Sequence, residues 1–204
     1  MLGIHGRSVT KAIFTPLAKV LAKWKVSPNA VTAAGTAVTV AAACSLIPTD
    51  HLLAGVIVLV MVMFCDSLDG ILARLTNKQS QFGSFLDSTL DRISDGAVFG
   101  SLTLWAALHL PAGAHQIITI ALGICATVMA AAVPYARAKA ESLGANATVG
   151  IAERTDRLIT VGIGAFLTSI GASTWFITAA LALVAVAGFV TVMQRLATVK
   201  EQLG

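Results

Sequence analysis

The sequence predicts an all-α integral-membrane protein, with six transmembrane helices preceded by an N-terminal amphipathic interfacial helix. Three observations carry this. The 204-residue chain is 56% hydrophobic and 12% charged, with a mean hydropathy of +0.84, a balance no ordinary soluble domain of this size reaches. Apolar stretches long enough to cross ~30 Å of hydrocarbon recur after the first turn signals, parted by short polar or Gly/Pro-marked breaks. The basic residues gather at alternate ends of those stretches, the pattern of a multi-pass protein.

In chain order, residues 1–26 form a juxtamembrane segment and 27–204 the six-helix domain. The first 25 residues lack the apolar run and small-residue cleavage site of a signal peptide. Ile13, Leu17, Val20, Leu21 and Trp24 share one helical face, with Lys11, Lys19, Lys23 and Lys25 adding positive charge. That pattern suits an anionic membrane interface or packing on the protein's own surface. The spans follow at about 28–48, 52–74, 83–109, 115–140, 154–171 and 173–195. Ser27 and Pro28 make an N-cap and N1 pair for the first, and Pro48 and Pro111 stand where the chain leaves a helix.

Arg7 to Lys25 precede span 1, Arg74 and Lys78 lie between spans 2 and 3, Arg137 to Arg157 flank the break after span 4, and Arg195 and Lys200 close the chain. The other breaks carry no Lys or Arg, and only Arg92 lies inside a span. Both termini are therefore expected in the cytoplasm of a multi-pass plasma-membrane protein. The net charge of +4 reflects topology and lipid contact, not nucleic-acid binding. Cys44, Cys65 and Cys125 are isolated in apolar spans and read as small packing residues. His5, His51, His109 and His115 lie scattered near span ends and join no site.

Half of the ten acidic residues, Asp66, Asp69, Asp87, Asp91 and Asp95, fall in spans 2 and 3, where each costs ~2.5–3.5 kcal/mol to insert. Asp66 and Asp69 are i, i+3, and Asp87 and Asp91 are i, i+4, so each pair projects from one helical face. With Arg74 and Gly83 at the cytoplasmic helix ends, Asp66 and Asp91 lie ~12 Å deep and Asp69 and Asp87 ~6–8 Å deep. The four carboxylates are expected to converge on hard divalent cations, Mg²⁺ or Mn²⁺, as two ions. A purely structural ion-paired hairpin is disfavoured, because Arg74 and Arg92 cannot neutralise five aspartates in low dielectric. An ion or proton transporter fits less well, because the cluster lies toward one face and no second Asp-bearing repeat occurs.

The run Asp66-Ser-Leu-Asp69-Gly70-Ile-Leu-Ala73-Arg74, then Gly83-Ser-Phe-Leu-Asp87-Ser-Thr-Leu-Asp91, resembles the complete signature of the CDP-alcohol phosphotransferase family, with all eight fixed residues present over twenty-six positions. The resemblance implies a metal-dependent transferase, in which Asp66, Asp69, Asp87 and Asp91 bind metal and Asp91 also serves as general base. It further implies a CDP-lipid site at Asn29, Ala30, Val31, Thr32, Gly70, Ala73, Arg74, Ser80 and Gly83. Arg74 suits a diphosphate because its planar fork donates paired hydrogen bonds. Without the family, Asn29 to Thr32 read as a first helical turn and Ser80 as a loop residue.

A phosphorylated acceptor needs a basic pocket, and Arg137, Lys139, Arg154, Arg157 and Arg195 supply one on the cytoplasmic side. The segments Asp91–Phe99, Tyr135–Glu141, Glu153-Arg154 and Gln194–Leu196 are similar to those of bacterial phosphatidylinositol-phosphate synthases. That resemblance implies CDP-diacylglycerol as donor, inositol 1-phosphate as acceptor, an acceptor-phosphate site at Arg137, Lys139, Arg154 and Arg195, and a homodimer. The Tyr-x-Arg-Ala-Lys-Ala-Glu run also resembles phosphatidylglycerol-phosphate synthases, which leaves glycerol 3-phosphate as the alternative acceptor.

Overall fold

A computed structural model describes residues 14–204. Ile13 and Lys11 of the expected N-terminal helix, with Arg7 and His5, lie outside the described residues. The described chain is helical throughout: α1 (14–23), α2 (Pro28–Leu46), α3 (Leu52–Cys65), α4 (Ser67–Leu75), α5 (Gln81–His109), α6 (Ala114–Ser142), α7 (Arg154–Ser169) and α8 (Trp175–Leu203). These match the expected spans closely. Span 2 is divided into α3 and α4 at Asp66, and α8 runs several residues past its expected end.

Among the described residues, four stretches are long and apolar enough to cross a membrane: Pro28–Leu46, Leu52–Leu75, Ala114–Ser142 and Trp175–Leu203. Helix α5 has the length but carries Asp87, Asp91, Arg92 and Asp95, and α7 has only sixteen residues. Large apolar side chains such as Met61, Ile117, Ile124, Leu183, Val186 and Phe189 stand more than half exposed, an outer surface suited to lipid and not to water. Cys44, Cys65 and Cys125 are exposed as well, so the packing role expected of them is wrong; they sit on the outer surface of their helices.

The helix ends have a common local chemistry. Lys25, Asp50, Asn77, Gly144 and Gly171 all have positive φ. After each, a pair of backbone bonds of the type Gly144 N–H to Glu141 O and Ala145 N–H to Ala140 O closes the last turn, the Schellman arrangement that satisfies otherwise orphaned carbonyls. These short reversals explain why no connection needs more than a few residues, except the one between α6 and α7.

The contacts group the chain into two compact units, Met1–Ala42 with Ile57–Ser94, and Ala43–Val56 with Asp95–Gly204. In the first unit, Ala18 of α1 is fully buried against Leu68, Ile71 and Leu72 of α4, with Phe14, Leu21, Ala22 and Val31 around it. The helix thus packs through 14, 18, 21 and 22, while Leu17, Val20 and Trp24 remain exposed. Among the described residues of the expected apolar face, only Leu21 turns inward.

In the second unit α8 is the central element. Ile177, Ala180, Leu181, Val184, Ala185, Gly188, Thr191 and Arg195 are buried along it at the three-and-four spacing of one helical face. Small residues let its neighbours approach. A side chain at Gly188 would begin 2.6 Å from Met129 Cβ of α6, and one at Gly164 of α7 would begin 2.7 Å from Ala180 Cβ. Such close contact is how helices associate where lipid removes the hydrophobic drive. At one end of this unit Trp105 Nε1 donates to Asp50 Oδ1 at 2.7 Å, and His109 lies 2.8 Å from the Pro48 carbonyl. His115 stacks on Trp175 with 4.0 Å between ring centroids and bonds Thr178 at 2.8 Å. These histidines are structural.

Candidate functional site

The donor-side residues belong to the first unit. Asp66 sits at the joint of α3 and α4 with helical dihedrals, φ −56° and ψ −29°. Its N–H still reaches Val62 O at 2.9 Å, so the rod continues and Asp66 and Asp69 keep their one-turn relationship. Asp69 is half-buried and near enough to Asp66 to feel its charge. Thr32 Oγ1 donates to Asp69 Oδ2 at 2.5 Å, and the Gly70 N–H donates to Oδ1 at 2.5 Å. On α5, Asp87 and Asp91 are both half-buried and share a face by their spacing. Asp91 Oδ2 lies 3.4 Å from Arg92 Nη2.

Four carboxylates without His or Cys are the donor chemistry a hard divalent cation takes. Among the described residues, however, no group of three or more His, Cys, Asp or Glu side chains is drawn together to hold an ion. Asp69 is held by Thr32 and by its own helix backbone, and Asp91 lies beside Arg92. Among the described residues the expected convergence of the four side chains is not formed.

Around them the expected nucleotide-side residues take definite places. Arg74 folds back so that Nε donates to Gly70 O at 3.0 Å, with Nη2 3.4 Å from where a Gly70 side chain would begin. Ser80 is the N-cap of α5, its Oγ accepting the Gly83 N–H at 2.9 Å. At Gly83 an added side chain would meet Ser80 Oγ at 3.2 Å and Asn29 Oδ1 at 3.3 Å, so Asn29, Ser80 and Gly83 form one polar notch. Ala30 opens α2, with its N–H on Ser27 Oγ at 3.2 Å. Val31 packs on the α1–α4 cluster, and Ala73 is half-buried.

The basic residues belong to the second unit. Arg195 is 8% exposed; its Nε donates to Val149 O at 3.0 Å and its Nη1 to Val133 O. It lies within electrostatic range of Arg137 and Arg157, and of Glu141 and Glu153. Arg137 is exposed and pairs with Glu141 at 2.8 Å. Lys139, two residues on, leaves α6 about 200° around its axis from Arg137. Arg154 Nε donates to Asp95 Oδ1 at 3.1 Å, and Arg157 Nη2 to Asp95 Oδ2 at 2.9 Å.

The long α6–α7 connection is strapped to this region by α8. Thr191 Oγ1 accepts the N–H groups of Ile151 and Ala152, each at 3.1 Å. Gln202 exchanges two 2.8 Å bonds with the Asn146 backbone. Sequence reasoning missed these partners, and also Asp95 with Arg157. A signal for the latter was available: a fifth intramembrane acid one turn after Asp91, and two arginines at i, i+3 opening a helix.

Residues 25–193 match the sequence model of the CDP-alcohol phosphatidyltransferase family. The chain is 38% identical, over 96% of its length and 88% of the other's, to a phosphatidylinositol phosphate synthase from Corynebacterium glutamicum. Its fold is similar to that of the Mycobacterium tuberculosis phosphatidylinositol phosphate synthase with CDP-DAG bound, at TM-score 0.87 and 36% identity over 92% of this chain and 94% of that one. It is equally similar, at TM-score 0.87 and 35% identity over 92% and 88%, to the same enzyme in complex with manganese and citrate. The unbroken motif from Asp66 to Asp91 falls inside the matched region, and the chain belongs to the CDP-alcohol phosphatidyltransferase family.

Proposed function

We propose that this protein transfers the phosphatidyl group of CDP-diacylglycerol to inositol 1-phosphate (1D-myo-inositol 3-phosphate), forming phosphatidylinositol phosphate and releasing CMP. The observation that carries the reading is the 38% identity to a phosphatidylinositol phosphate synthase over nearly the whole chain. The acceptor also needs a basic site, and Arg195 lies within electrostatic range of Arg137 and Arg157.

In this reading Asp66, Asp87 and Asp91 would turn toward Asp69, whose orientation Thr32 fixes, and the four would hold two Mg²⁺ or Mn²⁺ ions. The ions would supply charge neutralisation for the donor diphosphate. The notch of Asn29, Ser80 and Gly83, with the small residues Gly70 and Ala73 and the first turn of α2 at Ala30 to Thr32, receives the cytidine nucleotide. Arg74 binds the diphosphate. Asp91 accepts the proton of the acceptor hydroxyl, whose oxygen bonds to the β-phosphorus as the bond to CMP breaks. Arg137, Lys139, Arg154 and Arg195 bind the acceptor's phosphate.

All six rods cross the plasma membrane, α5 and α7 included, with both termini and the site on the cytoplasmic side. The exposed Leu17, Val20 and Trp24 of α1 enter the interface, and the protein works as a homodimer. Glycerol 3-phosphate is the second reading for the acceptor, because the Tyr135-x-Arg137-Ala-Lys139-Ala-Glu141 run suits it as well.

The test uses purified protein in mixed micelles with CDP-diacylglycerol, Mg²⁺ or Mn²⁺, and inositol 1-phosphate, glycerol 3-phosphate, free inositol or serine. CMP release with inositol 1-phosphate, abolished by chelator, is expected. Release with glycerol 3-phosphate alone overturns the inositol reading. Proton flux in liposomes without CMP formation overturns the enzyme mechanism.

A further inference from the structure

We propose that Thr191 is a positioning residue for the acceptor's phosphate: it holds the backbone of residues 149–152 against α8, and that backbone aims the Arg195 guanidinium. The inference rests on the reading above that Arg195 binds the acceptor. Thr191 is fully buried and Arg195 is 8% exposed. Four residues apart, they share one face of α8.

The segment that crosses this face is bonded to both residues. Thr191 Oγ1 accepts the N–H groups of Ile151 and Ala152 at 3.1 Å each, and Arg195 Nε donates to Val149 O at 3.0 Å. Gly150 is the one residue that joins the two peptides concerned. It has a φ of +137°, and a side chain there would overlap Thr191 Cγ2. Only glycine takes that conformation without strain, and only without a Cβ can the backbone lie this close to Thr191. The Val149 carbonyl is therefore placed from Thr191 through a single joint.

Paired recognition of a phosphate needs the guanidinium held in one plane. Two carbonyls set the plane of Arg195: Val149 O through Nε and, on α6, Val133 O through Nη1. They take two of the five N–H groups of the side chain. The segment serves a second arginine in the same way, since Ala152 O accepts from Arg157 Nη1 at 3.0 Å. A residue that only fastened the α6–α7 connection to α8 could act anywhere along it, as Gln202 does at Asn146. Thr191 instead grips the peptides next to the carbonyl that Arg195 uses.

The experiment measures kcat, the KM of acceptor and of CDP-diacylglycerol, the inhibition constant of inorganic phosphate, and thermal stability. Thr191→Val, which keeps the shape but not the oxygen, is expected to raise the acceptor KM and the phosphate inhibition constant about tenfold. Thr191→Ser keeps the oxygen and should stay within about twofold of wild type. The CDP-diacylglycerol KM should hold in both, and kcat should change less than the acceptor KM. Lower stability of Thr191→Val with unchanged acceptor constants would make Thr191 merely structural and overturn the proposal. Gln202→Ala, which loosens the connection away from Arg195, should leave the acceptor constants unchanged. A rise equal to that of Thr191→Val would overturn the specific role.

Arg195→Lys keeps the charge and removes the Nε bond. In that background Thr191→Val should add less than about twofold to the acceptor KM, because residues acting through one contact are not additive; its full effect there overturns the proposal. If Arg195→Lys raises the acceptor constants and Thr191→Val does not, the inference falls and the acceptor reading stands. If neither variant changes them, the acceptor role of Arg195 falls and the inference with it. Should Thr191→Val not fold, Gly150→Ala displaces the same carbonyl from the other side and decides by the same constants. If only glycerol 3-phosphate reacts, the inositol reading falls, and those constants measured with that acceptor still decide the role of Thr191.

Discussion

Thr32 Oγ1 lies 2.5 Å from Asp69 Oδ2, a side-chain bond that ties the first turn of α2 to α4. The same hydroxyl is 3.2 Å from the Pro28 carbonyl, so its single proton goes to the nearer, charged acceptor. Removing it in Thr32→Val frees the carboxylate to rotate. Manganese affinity, followed by titration calorimetry, is expected to fall about tenfold, the lower end of what loss of an orienting partner costs. Thr32→Ser should retain most of it. Equal affinity in wild type and valine variant would show that the hydroxyl does not orient Asp69.

Asp91→Asn removes the proposed base while keeping the shape of the side chain. CMP release at saturating substrates is expected to fall by about 10²–10⁴, with CDP-diacylglycerol binding within a few-fold of wild type. Full turnover in this variant sinks the base assignment.

The helix contacts predict opposite effects for two glycines. A side chain at Gly188 meets Met129, whereas Gly162 of α7 has nothing within 4 Å. Gly188→Leu should destabilise by about 1–3 kcal/mol through overpacking. Gly162→Ala should stabilise by about 0.5–1 kcal/mol by restricting the unfolded chain. Thermal melts in detergent read both, and a neutral Gly188→Leu would show that α6 and α8 do not pack through this position.

Thr191 is fully buried and satisfies two backbone N–H groups. Thr191→Val leaves both without that acceptor, at about 1–3 kcal/mol for each buried donor. Proteolysis within residues 143–153 should quicken in proportion. An unchanged cleavage rate would mean that the strap is held by Gln202 and Arg195 alone.

Helix positions were legible from apolar length and breakers, and the α5–α7 boundaries fell close to expectation because Pro111, Gly144 and Gly171 mark real ends. The acids of the candidate site were legible because charge in an apolar span is rare and the motif spacing is rigid. Side-chain partners were not. Whether Arg154 meets Asp95 depends on residues 59 positions apart, which no local pattern encodes. The inward face of α1 was not legible for a similar reason. Ala18 is too small to weigh in an amphipathic pattern, yet its size lets α1 lie close against Leu72.

Arg195 bonds the carbonyls of Val133 and Val149 and so joins α6, α8 and the connection between α6 and α7. Under the proposed function such a residue is constrained twice, by the phosphate it would bind and by what it holds up. Divergence toward a different acceptor would therefore begin at the exposed Arg137 and Lys139, where a change leaves the scaffold intact. Arg195 would remain the fixed point around which related specificities arise.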